Sequence, residues 1–180
     1  MQLLSFILLL AFILLRNSFT IFKGNRERTK VESLIYWGRK LIEVSIYFAI
    51  PGLLLLGVIP KNTSQVAYVL GVLLSLKGLF FMLWTRLSRD KDWGFMGDDS
   101  GETLFTGGPY AYTRHPYYAG AILVGIGLYL QLNYWLALLM IPIMFFIAYV
   151  IKKEDAFLEQ RFGQTFLAYK NKVGVFPWFY

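Results

Sequence analysis

The chain contains no cysteine and a single histidine. Without thiols there is no disulfide scaffold, no thiolate metal site and no cysteine nucleophile. Charge is scarce as well: 16% of the 180 residues are Asp, Glu, Lys or Arg, against about 25% in an average soluble domain. That shortage, beside 57% hydrophobic and 18% aromatic residues, excludes a disordered chain and an ordinary water-soluble enzyme. No GxxxxGK[ST] phosphate loop and no HExxH pair occurs. A metal would depend on the lone histidine plus carboxylates, so no metal site is expected. Gly120, Gly125 and Gly127 lie within an apolar run and follow no strand, so they do not form a dinucleotide loop. Ala121 and Gly125 make a small-xxx-small pair suited to close helix packing.

What the sequence has in quantity is long apolar runs, at about 2–15 (extendable to Phe22), 41–59, 66–85, 117–131 and 134–151. A membrane span takes about 20 mostly apolar residues, which predicts about five helices. The first run has no basic flank and no small-x-small cleavage site, so it reads as a retained helix. Pro51-Gly52 predicts a kink in the second. Only Gln131-Leu132-Asn133 separates the last two, which predicts an antiparallel hairpin. Lysine and arginine alternate by connection. The first holds Arg16, Lys23, Arg26, Arg28, Lys30, Arg39 and Lys40, and the second only Lys61. The third holds Arg86, Arg89, Lys91 and Arg114, the fourth none, and the tail Lys152, Lys153, Arg161, Lys170 and Lys172. The positive-inside rule then puts the N-terminus outside, and the first and third connections and the tail in the cytoplasm. The net charge of +7 is explained by orientation, with no need for nucleic acid. Two charges fall within apolar runs, Lys77 and Glu43. Each is either a functional suspect or an interfacial, snorkelling side chain.

The polar residues gather on the cytoplasmic side, in the long 86–116 connection and the tail from Lys152. A loop longer than about 12–15 residues is usually functional or disordered. Trp93, Phe95, Phe105, Tyr110 and Tyr112 in this one argue for an ordered loop. Gly107-Gly108-Pro109 marks a tight turn and Arg114-His115-Pro116 a helix start, with proline at its favoured first position. The free amides there, with Arg114 alongside, suit a carboxylate or phosphate. His115 is structural or catalytic on this pattern. Glu154 and Asp155 either offset Lys152 and Lys153 on a solvated helix or are brought back by the hairpin to the helix that begins at Pro116. In the second case arginine, histidine, tyrosines and two carboxylates meet at one membrane-edge pocket.

GGPYAYTRHPYYAG followed, after the hairpin, by EDAFLEQRFGQTFLAYKNKVGVFP resembles the isoprenylcysteine carboxyl methyltransferase family, whose wider relatives include membrane phospholipid methyltransferases. The resemblance covers about 85–180 closely. It implies an all-α polytopic membrane protein, with residues 1–85 as N-terminal spans and 86–180 as the methyltransferase core. It further implies S-adenosylmethionine bound at the cytoplasmic edge between the 86–116 loop and the C-terminal helix. The implied cofactor contacts are Glu102, Thr103, Leu104, Phe105, Tyr110, His115, Pro116, Tyr117, Tyr118 and Glu154, with His115, Arg114 and Glu154 as candidates for the chemistry. Four positions depart from the family's pattern. Asp155 replaces its second glutamate, Phe166 a tyrosine and Val150 a substrate-facing arginine, while Glu102 stands where histidine is usual.

The function expected on these grounds is methyl transfer to a lipophilic acceptor taken from the bilayer: a prenylated thiol, a phospholipid headgroup or a small hydrophobic metabolite. Two rivals are a sterol-type membrane reductase using NADPH and a small membrane protein without catalysis.

Overall fold

The computed structural model describes residues 2–20, 44–88 and 103–176, and among these every regular element is helical. Helix α1 spans Gln2–Thr20. A π-helical turn at Ser45–Ala49 leads into α2, Ile50–Leu55. Then come α3 (Gln65–Ser88), α4 (Pro116–Leu132), α5 (Met140–Phe162) and α6 (Gln164–Lys172). Short 3-10 turns, Gly108–Ala111 and Tyr134–Leu139, precede α4 and α5.

Of the five spans expected, two are long and apolar enough to cross a membrane among the described residues: Gln65–Ser88 and the helical stretch Tyr134–Phe162. Leu3–Leu15 and Pro116–Leu132 are apolar but shorter. At Pro51, where a kink is expected, the regular hydrogen-bond ladder gives way to a π-helical turn. Proline has no N–H to give and crowds the preceding turn. The chain responds by pairing five residues back, Ile50 N–H to Ser45 O, in a single π-helical turn.

Helix α4 is the core of the bundle, with 13 of its 17 residues buried. Burial all round needs small residues wherever a neighbour comes close. On α3 the buried stripe is Gly71, Ser75, Gly78, Met82 and Thr85. A Cβ on Gly71 would sit 2.6 Å from Gly127 O, and one on Gly120 2.7 Å from Gly78 O. Glycine is therefore what lets the two backbones touch. The expected Ala121–Gly125 pair serves a different neighbour. Tyr47 Oη donates to Ala121 O at 3.4 Å, and a Cβ on Gly125 would meet Met140 and Tyr47.

A buried polar network ties α1 to this pair. Ser5 Oγ donates to Gln131 Oε1 at 2.9 Å, while Gln131 Nε2 donates to Ser75 Oγ at 3.0 Å and to Gly127 O at 3.1 Å. The reversal after α4 is fastened by Asn133. Its side chain accepts from Trp135 N–H at 3.2 Å and donates to Pro60 O at 3.1 Å. Lys77 is exposed, at the middle of α3 on a face turned away from α4. Glu43 lies outside the described residues.

Helix α5 buries Ile143, Ile147, Ile151 and Asp155. Those four lie at a spacing of four residues, one face of a helix. The apolar stretch ends at Ile151, and the same face carries Asp155 beyond it while Lys152 and Lys153 stay exposed. The helix does not run unbroken into the tail. Gly163 has φ +52, a backbone region that L side chains rarely adopt, and α6 starts anew at Gln164.

Candidate active site

The segment 113–116 is the centre of the site. Pro116 occupies the first turn of α4 and His115 sits at its N-cap, with Ala119 N–H bonding to His115 O at 3.0 Å. Thr113 is fully buried and works in two directions. Its Oγ1 accepts from His115 N–H at 3.3 Å and donates to Val175 O at 2.6 Å. These bonds fix the backbone on which Arg114 and His115 are presented.

The two acids after α5's apolar stretch do return to this point. Asp155 Oδ1 lies 2.9 Å from His115 Nε2, and its Oδ2 lies 3.1 Å from Arg114 Nη2. Glu154 Oε2 lies 3.6 Å from the other ring nitrogen, Nδ1. The four side chains therefore run in the order Arg114, Asp155, His115, Glu154. Three members are deeply buried and the last is not: Arg114, Asp155 and His115 expose 7%, 10% and 4% of their side chains, and Glu154 exposes 21%. The solvated-helix reading of the acids is therefore excluded for Asp155. Burial pushes the Asp155 carboxyl up, but the hydrogen bond and charge of His115 and the Arg114 guanidinium outweigh it and hold the group below the usual carboxylate range.

Arg114 next to a helix start suggested a cradle for an external anion. The carboxylate its guanidinium meets in this structure is the chain's own Asp155. Its remaining bonds go to the C-terminal segment. Nη1 donates to Lys170 O at 3.1 Å and to Val173 O, and the backbone N–H donates to Gly174 O at 3.0 Å. Residues 170–175 thus form a strap across the 113–115 segment. Tyr169 adds to it, its hydroxyl donating to Tyr110 O at 2.7 Å. Burial, with the nearby Tyr110 and Asp155, pushes this phenol well above its ordinary range, against the opposing pull of Arg114.

The other expected contacts are distributed around this row. Tyr118 stands with its ring 5.8 Å from that of His115, and Tyr117 packs edge-on against Tyr118 at 5.9 Å. Phe105 packs edge-on against Tyr110 at 5.6 Å. Thr103 is exposed, Leu104 half-buried and Pro116 buried; Glu102, Trp93 and Phe95 lie outside the described residues. Phe166, where the resembling family has a tyrosine, is fully buried, a position that an apolar ring fills without needing a polar partner. Val150 is half-buried on α5, one turn before Glu154.

Sequence reasoning brought Asp155 to the pocket as one of two carboxylates but not as the bridge between Arg114 and His115, and it assigned no role to Thr113, Tyr169 or the strap. For Asp155 the signal was present, since it continues the Ile143, Ile147, Ile151 stripe by one more step of four. Thr113 and the strap carry no comparable sign, because their work is done through backbone carbonyls.

Neither the curated proteins nor the solved structures gave a match to this chain. A family model described as phospholipid methyltransferase matches residues 66–165. That interval runs from the start of α3 through the Arg114–Glu154 row and stops before the strap. It covers more than half of the sequence, and with the row in place the chain belongs to the phospholipid methyltransferase family.

Proposed function

We propose that this protein is a multi-pass membrane methyltransferase that uses S-adenosylmethionine and acts on a lipophilic acceptor reaching it from the bilayer. The observation that carries the reading is the meeting of His115 with Glu154 and Asp155 across the hairpin, in a chain of this family. The alternation of lysine and arginine supports five spans with the N-terminus outside and the site cytoplasmic.

The side chains suit the cofactor's chemistry. Glu154 keeps the largest exposed fraction of the row, 21%, and a carboxylate there suits an ammonium or ribose hydroxyls. Tyr117, Tyr118 and the Phe105–Tyr110 pair offer aromatic faces, which attract a sulfonium and stack on adenine. On this reading Thr103, Leu104 and Pro116, with Glu102 preceding them in the sequence, are the remaining cofactor contacts. When bound, the cofactor supplies an electrophilic methyl group. The residues' task is to hold donor and acceptor in line, an effect worth up to about 7–11 kcal/mol in well-oriented systems. A carboxylate acceptor needs no base. An amine or thiol must lose a proton, and Glu154, with His115 behind it at 3.6 Å, is the group to take it. With Val150 rather than a cation one turn earlier, an acceptor without a free carboxylate, such as a phospholipid headgroup, suits the site better than prenylcysteine.

The test is to incubate the purified protein in lipid nanodiscs with methyl-labelled S-adenosylmethionine and a lipid extract. A labelled lipid in the mass spectrum, and calorimetric cofactor binding that weakens in Glu154→Gln, are expected. Absence of both binding and labelled product refutes the reading.

A further inference from the structure

Neither the cofactor contacts nor the proton-accepting role above involves Asp155, yet it is the most elaborately held acid of the site. One carboxylate oxygen takes His115 Nε2 at 2.9 Å and the other takes Arg114 Nη2 at 3.1 Å. An aspartate held ionised by these neighbours accepts hydrogen bonds and donates none. The hydrogen on His115 facing it must therefore sit on Nε2. The opposite ring nitrogen, Nδ1, is then turned toward Glu154 Oε2, 3.6 Å away. Arg114 completes the arrangement from the far side, since the strap carbonyls of Lys170 and Val173 hold its fork still.

We propose that Asp155 is a positioning residue for methyl transfer, one that locks His115 with its hydrogen on Nε2 and its Nδ1 turned toward Glu154. Through His115 it sets the state of the one row member that is substantially exposed, and it does so without reaching substrate or cofactor. The kinetic side of this proposal rests on the methyltransferase reading; the ring-nitrogen side does not.

Asp155→Asn separates the lock from simple packing, because the two side chains have nearly the same shape. Arg114 only donates, and its charge-assisted bond is the stronger of the two. It therefore draws the new amide oxygen and leaves the amide NH2 facing His115 Nε2. That nitrogen must now accept, so the ring hydrogen moves to Nδ1. Asp155→Glu keeps an acceptor-only group for both partners.

His115 is the only histidine, so incorporation of 15N-histidine into the full chain in nanodiscs gives signals from one ring. On the alkaline limb of a pH titration, wild type and Asp155→Glu are expected to carry the hydrogen on Nε2, and Asp155→Asn on Nδ1. With methyl-labelled cofactor, Asp155→Asn is expected to lose about ten- to a hundredfold in kcat, the range known for losing the hydrogen-bond partner that orients a metal-bound histidine. Its KM for S-adenosylmethionine should change little, and Asp155→Glu should recover most of the rate. Hydrogen on Nδ1 in wild type overturns the proposal, and so does an unchanged nitrogen pattern in Asp155→Asn. A reversed pattern with an unchanged kcat overturns the positioning role. The wild-type spectrum needs no variant, so an unfolded Asp155→Asn leaves the test intact. A wild type that transfers no methyl group sinks the proposed function, while the nitrogen pattern still decides for or against the lock.

Discussion

Replacing Arg114 with alanine should be among the most damaging single changes in this protein, and the size of the effect follows from the bonds already described. The guanidinium forms an ion pair with Asp155 at 3.1 Å, with side-chain exposures of 7% and 10%, and donates to two strap carbonyls, of Lys170 and Val173. Removing one partner of a buried pair costs about 3–5 kcal/mol, because the other charge is left behind. His115 continues to serve Asp155 and moderates that loss. Against this, the two carbonyls lose a charged donor, worth about 1.5–3 kcal/mol each when measured singly. These terms share one side chain and do not add, so the expected loss stays near 3–5 kcal/mol. For a protein of this size each kcal/mol is about 2–4 °C in Tm, which puts the shift at roughly 6–20 °C. The assay is thermal unfolding of wild type, Arg114→Ala and Arg114→Lys in the same detergent at the same scan rate. Lysine restores the charge but presents a single point donor that cannot face Asp155 and both carbonyls at once, so its Tm should fall between the other two. A double-mutant cycle with Asp155→Asn should show a coupling of about 0.5–3 kcal/mol. A shift below about 2 °C in Arg114→Ala, or a lysine variant indistinguishable from wild type, refutes the reasoning.

Three other outcomes are expected. Gly120→Ala should cost about 1–3 kcal/mol, since its Cβ would lie 2.7 Å from Gly78 O, while Gly52→Ala, with nothing within 4 Å, should stay within about 0.5 kcal/mol on the same thermal assay. Thr113→Val keeps the shape of a fully buried side chain but removes the 2.6 Å bond to Val175 O; a loss of about 1–3 kcal/mol is expected, and limited proteolysis should cut the C-terminal segment faster than in wild type. Asp155 has a folded pKa below its unfolded one. Its contribution to stability is therefore fully present above the unfolded carboxylate value of about 4 and is lost as pH falls through the lower folded value. Unfolding followed across the acid range should show a weaker pH dependence in Asp155→Asn than in wild type, and equal slopes would contradict this account.

Much of the fold's framework was legible because it depends on patterns that repeat. Apolar runs marked the helices, Pro51 a local change in the helical ladder and Gln131-Leu132-Asn133 the reversal, and the hairpin did bring the acids to His115. The length of a run was a poorer guide than its neighbours. In the stretch 41–59 the described helical part, a π-turn and the helix Ile50–Leu55, stops before Gly57, whose φ of +79 is a backbone region that does not continue a helix. Ala121 and Gly125 do mark a close approach, to Tyr47 and Met140, while Gly120 and Gly127 meet α3; which face of an almost wholly buried helix meets which neighbour is a tertiary property. Within the site, Arg114, His115 and Glu154 stood out by residue type and position. Asp155 was visible as an acid but not as the bridge, and the strap was invisible because its contribution comes from carbonyl oxygens that every residue possesses.

The strap also makes the site depend on a segment far along the chain. The acceptors that hold Thr113 and the Arg114 fork lie 62, 56 and 59 residues further on, beyond α5. Without them the Thr113 hydroxyl and two of the Arg114 bonds have no acceptor, and only Asp155 is left to hold the buried end of the row. A polypeptide that stops short of Val173 would insert its helices and still carry an unfinished site.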